Sequence, residues 1–182
     1  ALVSGEPKMI RVKPSDKVVS MADPNGVQTY KSGCPSGGTV DMLIEPYQHA
    51  PRLIIFGDSP IAQALASHAA LAGLRVCLPE GAENTVKFTP FDPNDLNALG
   101  VEARYFVVVA SQGKGDGAAL KAALQSPARR VSMVASRRKA EVLCAKLETQ
   151  GLSAEQTKRL KSPAGLDIHA IDPHEIALSI LA

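Results

Sequence analysis

From Leu53 onward, short apolar runs alternate with longer amphipathic stretches. Leu53-Ile54-Ile55-Phe56 is apolar throughout, the pattern of a strand covered on both faces. The stretch Pro60 to Ala72 predicts a helix: Ala62, Leu65, Ala66 and Ala69 fall on one stripe, and Gly73 stops it. Strands follow over Leu74 to Leu78, Tyr105 to Ala110 and Val131 to Ala135. Helices follow over Gly117 to Leu124 and over Ser136 to Thr149, the second with Ala140, Leu143, Cys144 and Leu147 on one face. Asp172-Pro173-His174-Glu175 reads as an N-cap, a proline at the first helical position and a reciprocal carboxylate. Ile176, Ala177, Ile180 and Leu181 then give the last helix its apolar stripe. Strands separated by helices of this length require crossover connections. The predicted fold class is therefore α/β, a Rossmann-like parallel sheet with flanking helices over residues 52–182.

Residues 1–46 follow another pattern. Short β-prone runs (Met9 to Val12, Val18 to Met21, Val27 to Tyr30) are broken by Pro7, Pro14, Pro24 and Gly26, which predicts a small β-rich N-terminal domain. It closes on a Gly/Ser-rich stretch in which Ser36, Gly37 and Gly38 would let the backbone approach a ligand. The run from Tyr47 to Arg52 reads as a linker.

Composition narrows the function classes. At 182 residues the chain suits one domain plus a smaller partner, and it can bury a core without a metal or disulfide staple. Aromatics are 4% and tryptophan is absent, which argues against a base-stacking nucleic-acid platform. The three cysteines are scattered without a C-x-x-C pair, so neither a zinc site nor a disulfide framework is expected. Cys34 is expected to be a buried small hydrophobe, with an accessible thiol as the alternative. No run approaches the ~18 apolar residues of a membrane span, and no signal segment is visible. The expectation is a soluble cytoplasmic protein whose N-terminus, which begins at Ala1, has been trimmed. Net charge is only +2, yet residues 101–161 hold twelve basic and five acidic groups. That concentration suggests a local anion site more than general polyanion binding.

Three loops follow the predicted strands, on the side where such sheets bind ligands. Gly57-Asp58-Ser59-Pro60-Ile61-Ala62 stands where a dinucleotide fold places G-x-G-x-x-G/A, but Ser59 replaces the second glycine and Asp58 adds negative charge. Glu80 could be its acidic ribose partner. Ser136-Arg137-Arg138-Lys139 puts three cations on the first turn of a helix. They oppose the macrodipole unless an anion joins the free N–H groups. Ser111-Gln112-Gly113-Lys114-Gly115-Asp116-Gly117 is either a ligand loop around Gln112 and Gly113 or a plain turn, and it lacks P-loop spacing. No nucleophile–base arrangement can be argued from spacing.

The segment Ser126-Pro127-Ala128-Arg129-Arg130-Val131-Ser132-Met133-Val134-Ala135-Ser136-Arg137-Arg138-Lys139 resembles the S-P-A-R-Y-[VI]-G-x-[IV]-G-S-R-R-K segment of the XdhC/CoxI-type maturation factors for molybdenum hydroxylases. The tail, Pro163-Ala164-Gly165-Leu166-Asp167-Ile168 and then Pro173-His174-Glu175-Ile176-Ala177, is similar to the family's P-I-G-L-D-I-G and T-P-E-E-I-A. Pro51 to Ala66 and Ser36-Gly37-Gly38-Thr39-Val40-Asp41 resemble its P-R-L-[VI]-[VI]-F-G-A-G-H-V-A-Q-A-L-A and S-G-G-C-V-E. The resemblance implies a Rossmann-like domain after a small N-terminal domain, here expected to be truncated. It also implies an accessory factor more than an enzyme. Such a factor binds molybdenum cofactor, as molybdopterin or its dinucleotide, and aids its sulfuration or insertion into a xanthine/CO dehydrogenase-type client. A sulfurtransferase and a homodimer are further partners in view, whereas nucleic acid and membrane are not. By position, Ser136, Arg137, Arg138, Lys139 and Asp167 fall on the family's motifs. Ser59, Pro60, Ser132, Ala135 and Thr39 depart from them, and Thr39 leaves a thiol role in doubt. The alternatives are an NAD(P)-binding Rossmann oxidoreductase and a nucleotide-sensing regulatory domain.

Overall fold

The computed structural model describes residues 6–22, 26–34, 37–46 and 49–182, and the chain divides into two units, 1–49 and 50–182. In the first, β1 (Lys8–Pro14) lies between β2 (Gln28–Ser32), to which it is parallel, and β3 (Val40–Ile44), to which it is antiparallel. Arg11 and Asp41 face each other across β1 and β3, and the guanidinium grips the carboxylate through two hydrogen bonds of 2.6 and 2.8 Å. The strand expected over Val18 to Met21 does not form. A 3-10 turn at Ser15–Lys17 precedes it, and pairing in this stretch is limited to an isolated bridge from Ala22 to Gln28. Val19 and Met21 are exposed and Val18 is only half-buried, so no packed face rewards an extended backbone.

The second unit carries six parallel strands: β4 (Arg52–Phe56), β5 (Arg75–Pro79), β6 (Phe88–Phe91), β7 (Phe106–Val109), β8 (Arg130–Met133) and β9 (Leu160–Lys161). Their spatial order is β6-β5-β4-β7-β8-β9. Counted within this sheet, that is the doubly wound order 3-2-1-4-5-6, in which the chain reverses direction between β4 and β7.

Burial alternates as the pleat demands. On β4, Ile54 and Phe56 enter a core with Val107, Val109, Val131 and Met133, under α2 (Asp116–Gln125) and α3 (Arg137–Thr149). Leu53 and Ile55 face the other way, onto α1 (Pro60–Leu71) and α5 (Pro173–Leu181). The α1 stripe Ala62, Leu65, Ala66 and Ala69 is fully enclosed. A short helix, α4 (Ala154–Thr157), closed by a capping box between Ser153 and Gln156, leads into β9. The expected cap of α5 is in place, with Asp172 accepting from the His174 and Glu175 N–H groups.

Three elements lacked a readable pattern. β6 contains Pro90 and sits at the sheet edge, where a missing N–H is tolerated. β9 has two residues, and β3 is mostly exposed.

Candidate functional site

The turn after β4 is built by glycine geometry. Gly57 has φ +112°, and a Cβ there would lie 2.6 Å from the Ala110 carbonyl oxygen. Only glycine lets β4 and the start of the β7–α2 loop approach so closely. Ser59 then caps α1, its hydroxyl accepting from Ala62 N–H (3.2 Å) and donating to Ala110 C=O (2.7 Å). Expected to face a ligand, this side chain is buried, and its hydroxyl is engaged inside the turn.

Where the strand order reverses, a cleft of about 320 Å³ opens, lined in part by Gly57, Asp58, Glu80, Ser111, Lys114 and Gly115. Its position is that of a dinucleotide site, and Glu80 follows β5 as a ribose-binding acid would. Its phosphate end is poorly furnished. Pro60 has no N–H, the Ala62 N–H is taken by Ser59, and the exposed Asp58 carboxylate lines the opening.

The Ser111–Gly117 loop is organised from within by Asp116. Its carboxylate accepts from the Ser111 hydroxyl and from the Gly113 N–H (3.1 Å), and it pairs with Lys139. Burial pushes this carboxyl up, but Lys139, Ser111 and Gly113 together outweigh that and hold it below the usual carboxylate range. Gln112 is forced to φ +50° in this loop, a left-handed backbone rare for residues other than glycine. Gln112 and Gly113 thus shape a compact turn whose interior is occupied by the chain's own acid.

Ser136 caps α3 as expected, its hydroxyl accepting from Lys139 N–H at 3.3 Å. The three cations behind it have different fates. Lys139 bridges to α2 through Asp116, so its charge is neutralised by the protein and not held for an anion. Arg137 and Arg138 are exposed and, among the described residues, meet no carboxylate. Arg137 lines a cavity of about 690 Å³ beyond the ends of β8 and β9, together with Lys161 and the loop carrying Gly165, Leu166 and Asp167. Gly165 holds that loop against α5. Its φ is +90°, a Cβ would run into Ser179 Oγ, and the Leu166 N–H donates to Ser179 C=O at 2.9 Å.

The structure therefore brings Arg137 and Asp167 to one cavity and ties Lys139 to the β7–α2 loop, while Gly57 belongs to a different cleft. Gly37 and Gly38 lie in the N-terminal unit, where Lys17 Nζ donates to the Gly37 carbonyl at 3.4 Å, and Ser36 lies outside the described residues. Cys34 is exposed, not buried as expected, because its Gly/Ser surroundings supply no apolar shell. The place of Lys161 in the lining of the cavity that Arg137 borders has no signal in the sequence. The residue ends a strand too short to show periodicity, so nothing placed it beside Arg137. Among the described residues no group of three or more His, Cys, Asp or Glu side chains is gathered to hold a metal, and no helix is long and apolar enough to cross a membrane.

Comparison with known proteins agrees with this topology. Residues 53–182 match the family model described as the XdhC Rossmann domain. The uncharacterized protein YqeB of Escherichia coli (strain K12) is 29% identical over 169 residues, 87% of this chain. The chain spans only 31% of that relative's length. A Bacillus halodurans crystal structure described as a xanthine dehydrogenase shares the fold with a TM-score of 0.61 at 20% identity, over 99% of this chain and 61% of its own.

Proposed function

The chain belongs to the XdhC family, residues 53–182 forming its Rossmann domain, and on that premise we propose that it is an accessory factor that binds molybdenum cofactor and assists its sulfuration or insertion into a xanthine/CO dehydrogenase-type molybdenum hydroxylase. The Bacillus halodurans protein that shares the fold is described as a xanthine dehydrogenase, which is in keeping with a client of that class.

One observation carries the reading. Arg137 and Arg138 stand at the N-terminus of α3 and, among the described residues, have no counter-charge within the chain, and Arg137 borders a cavity large enough for a small ligand. At a helix N-terminus an exposed cation is unfavourable by a few tenths to about 1 kcal/mol. A phosphate reverses that sign, because it meets both the guanidinium forks and the free N–H groups. The residues present thus fit the phosphate of molybdopterin or the pyrophosphate of its dinucleotide form. Arg137 and Arg138 would bind it, and Lys161, which lines the same cavity as Arg137, would add charge. The cofactor itself would supply the metal and sulfur chemistry. The protein's part is to hold, orient and release it. Because the cavity is open and its cations are exposed, moderate affinity is expected, as a carrier needs.

The decisive experiment purifies the chain and its Arg137→Ala/Arg138→Ala variant from a host that makes molybdenum cofactor. Molybdenum and released pterin are then counted per chain. The variant should retain several-fold less of both, and equal retention would end this assignment.

A second reading, NAD(P) binding, is favoured by the strand order and by Glu80 beside the switch-point cleft. It is opposed by Pro60 and Asp58 at the phosphate end. Fluorescence titration with NADH and NADPH separates the two, since tight binding would favour an oxidoreductase. A preference for ATP over pterin cofactor would instead favour a nucleotide sensor.

A further inference from the structure

His68, on the last turn of α1, and His174, on the first turn of α5, are 106 positions apart in the chain, yet their rings meet edge to face. His68 Nε2 lies 3.2 Å from His174 Nδ1. The helices behind both rings are fixed. Leu65, Ala66 and Ala69 of α1 and Ala177 of α5 are fully buried in one core. The capping box between Asp172 and Glu175 sets the start of α5, and the His174 backbone N–H itself donates to Asp172 at 2.7 Å. The approach of the two rings is thus built into helix packing and is not a meeting of free ends. A proton shared between the facing nitrogens can hold the pair. The same spacing suits a metal ion. Imidazole nitrogens bind zinc, nickel or copper at about 2.0–2.1 Å, so two on one ion stand roughly 2.9 Å apart at a right angle and roughly 3.4 Å apart at a tetrahedral angle. The observed 3.2 Å lies between these. His174 also borders an open cavity of about 590 Å³ with Ser67, Glu83 and Asn84, from which water can complete a coordination shell and where the Glu83 carboxylate favours a cation.

We propose that His68 and His174 form a two-imidazole site for a divalent transition-metal ion of the zinc, nickel and copper class, which clips the start of α5 to the end of α1. Among the described residues no third His, Cys, Asp or Glu is gathered with them, so the ion keeps open positions for water. Magnesium and calcium prefer oxygen ligands and do not suit the pair. Metal binding needs a lone pair on both facing nitrogens. In the neutral pair the proton between them therefore moves to the remote nitrogen of its own ring, and none is released. The two rings come together in the folded chain, so an ion bound there stabilises the fold. Neither histidine lines the cavity of Arg137, and the metal site stands or falls independently of the cofactor reading.

The test is calorimetric titration of the whole chain with zinc chloride at pH 7.5, in a Cys34→Ser background that removes the exposed thiol. His68→Gln and His174→Gln each delete one ring while keeping a polar side chain, and His169→Gln is the control for an unrelated exposed histidine. Two ligands held together bind an ion more tightly than one does, by about 10²-fold or more. Each of the first two variants should therefore lose about a hundredfold in zinc affinity, and the double variant should lose no more than either. His169→Gln should bind as the parent does, and magnesium chloride should give no heat at this site. Copper(II) added at one equivalent should show two nitrogen ligands by electron paramagnetic resonance in the parent and fewer in either variant, a signature that a structural histidine pair would not give. Zinc should also raise Tm of the parent and of neither variant. Equal zinc affinity in the parent and in either variant overturns the site and leaves the pair a hydrogen bond between helices. Absence of saturable zinc binding by the parent overturns it as well.

Discussion

Lys139 of α3 is joined to Asp116 of α2, and this one ion pair clips the helix with the cationic start to the glycine-rich loop after β7. Asp116 is 5% exposed, so its charge is affordable only with partners. Lys139 is the strongest of these, and Ser111 and Gly113 complete the shell.

Lys139→Ala should therefore destabilise the fold by about 1–2 kcal/mol at neutral pH, measured by urea unfolding. Asp116→Asn combined with Lys139→Ala should cost less than the sum of the single changes, because the buried charge disappears with its partner.

The same pair sets an acid limit. The folded Asp116 carboxyl lies below its unfolded value of about 3.9, so its stabilisation is fully present above that pH and is lost as pH falls through the folded value. Without Lys139 the folded value rises toward the unfolded one. Acid unfolding of Lys139→Ala, followed by circular dichroism, should begin at a higher pH than that of the native chain. Coincident acid transitions would show that the pair contributes nothing.

Gly57→Ala should cost at least about 2 kcal/mol. The new methyl group meets the Ala110 carbonyl at 2.6 Å, and the backbone stands at φ +112°. Gly73→Ala is the control, since nothing lies within 4 Å of its Cβ and only its φ of +80° counts against it. Thermal unfolding should show a clearly larger loss for Gly57.

Arg138→Glu should behave in the opposite sense. Replacing a cation that meets no carboxylate among the described residues, on the first turn of α3, with an anion should stabilise the chain by about 0.3–1 kcal/mol per charge removed at low ionic strength, fading in salt. The same change should weaken retention of a phosphate-bearing ligand. A variant that is both more stable and less able to bind would locate function in this helix start.

Much of this protein is legible without coordinates. The apolar run Leu53 to Phe56 and the alanine stripe of α1 dictate a buried strand and a helix pressed against it, since no other arrangement hides those side chains. Ser136 and Asp172 mark their helix starts because capping is a contact within four residues. Local chemistry also concentrates the basic residues in 101–161. What the chain's order cannot express is which of these charges meet. Lys139 and Asp116 are 23 positions apart and touch only because α2 and α3 pack on one face of the sheet. Arg137, Lys161 and His169 line one cavity only because β9 lies parallel beside β8, so both strands end on the same side. Electrostatic pairing depends on distance in space. One cation of the Ser136–Lys139 cluster was therefore consumed by the fold and another left facing a cavity, a division that tertiary packing alone could make.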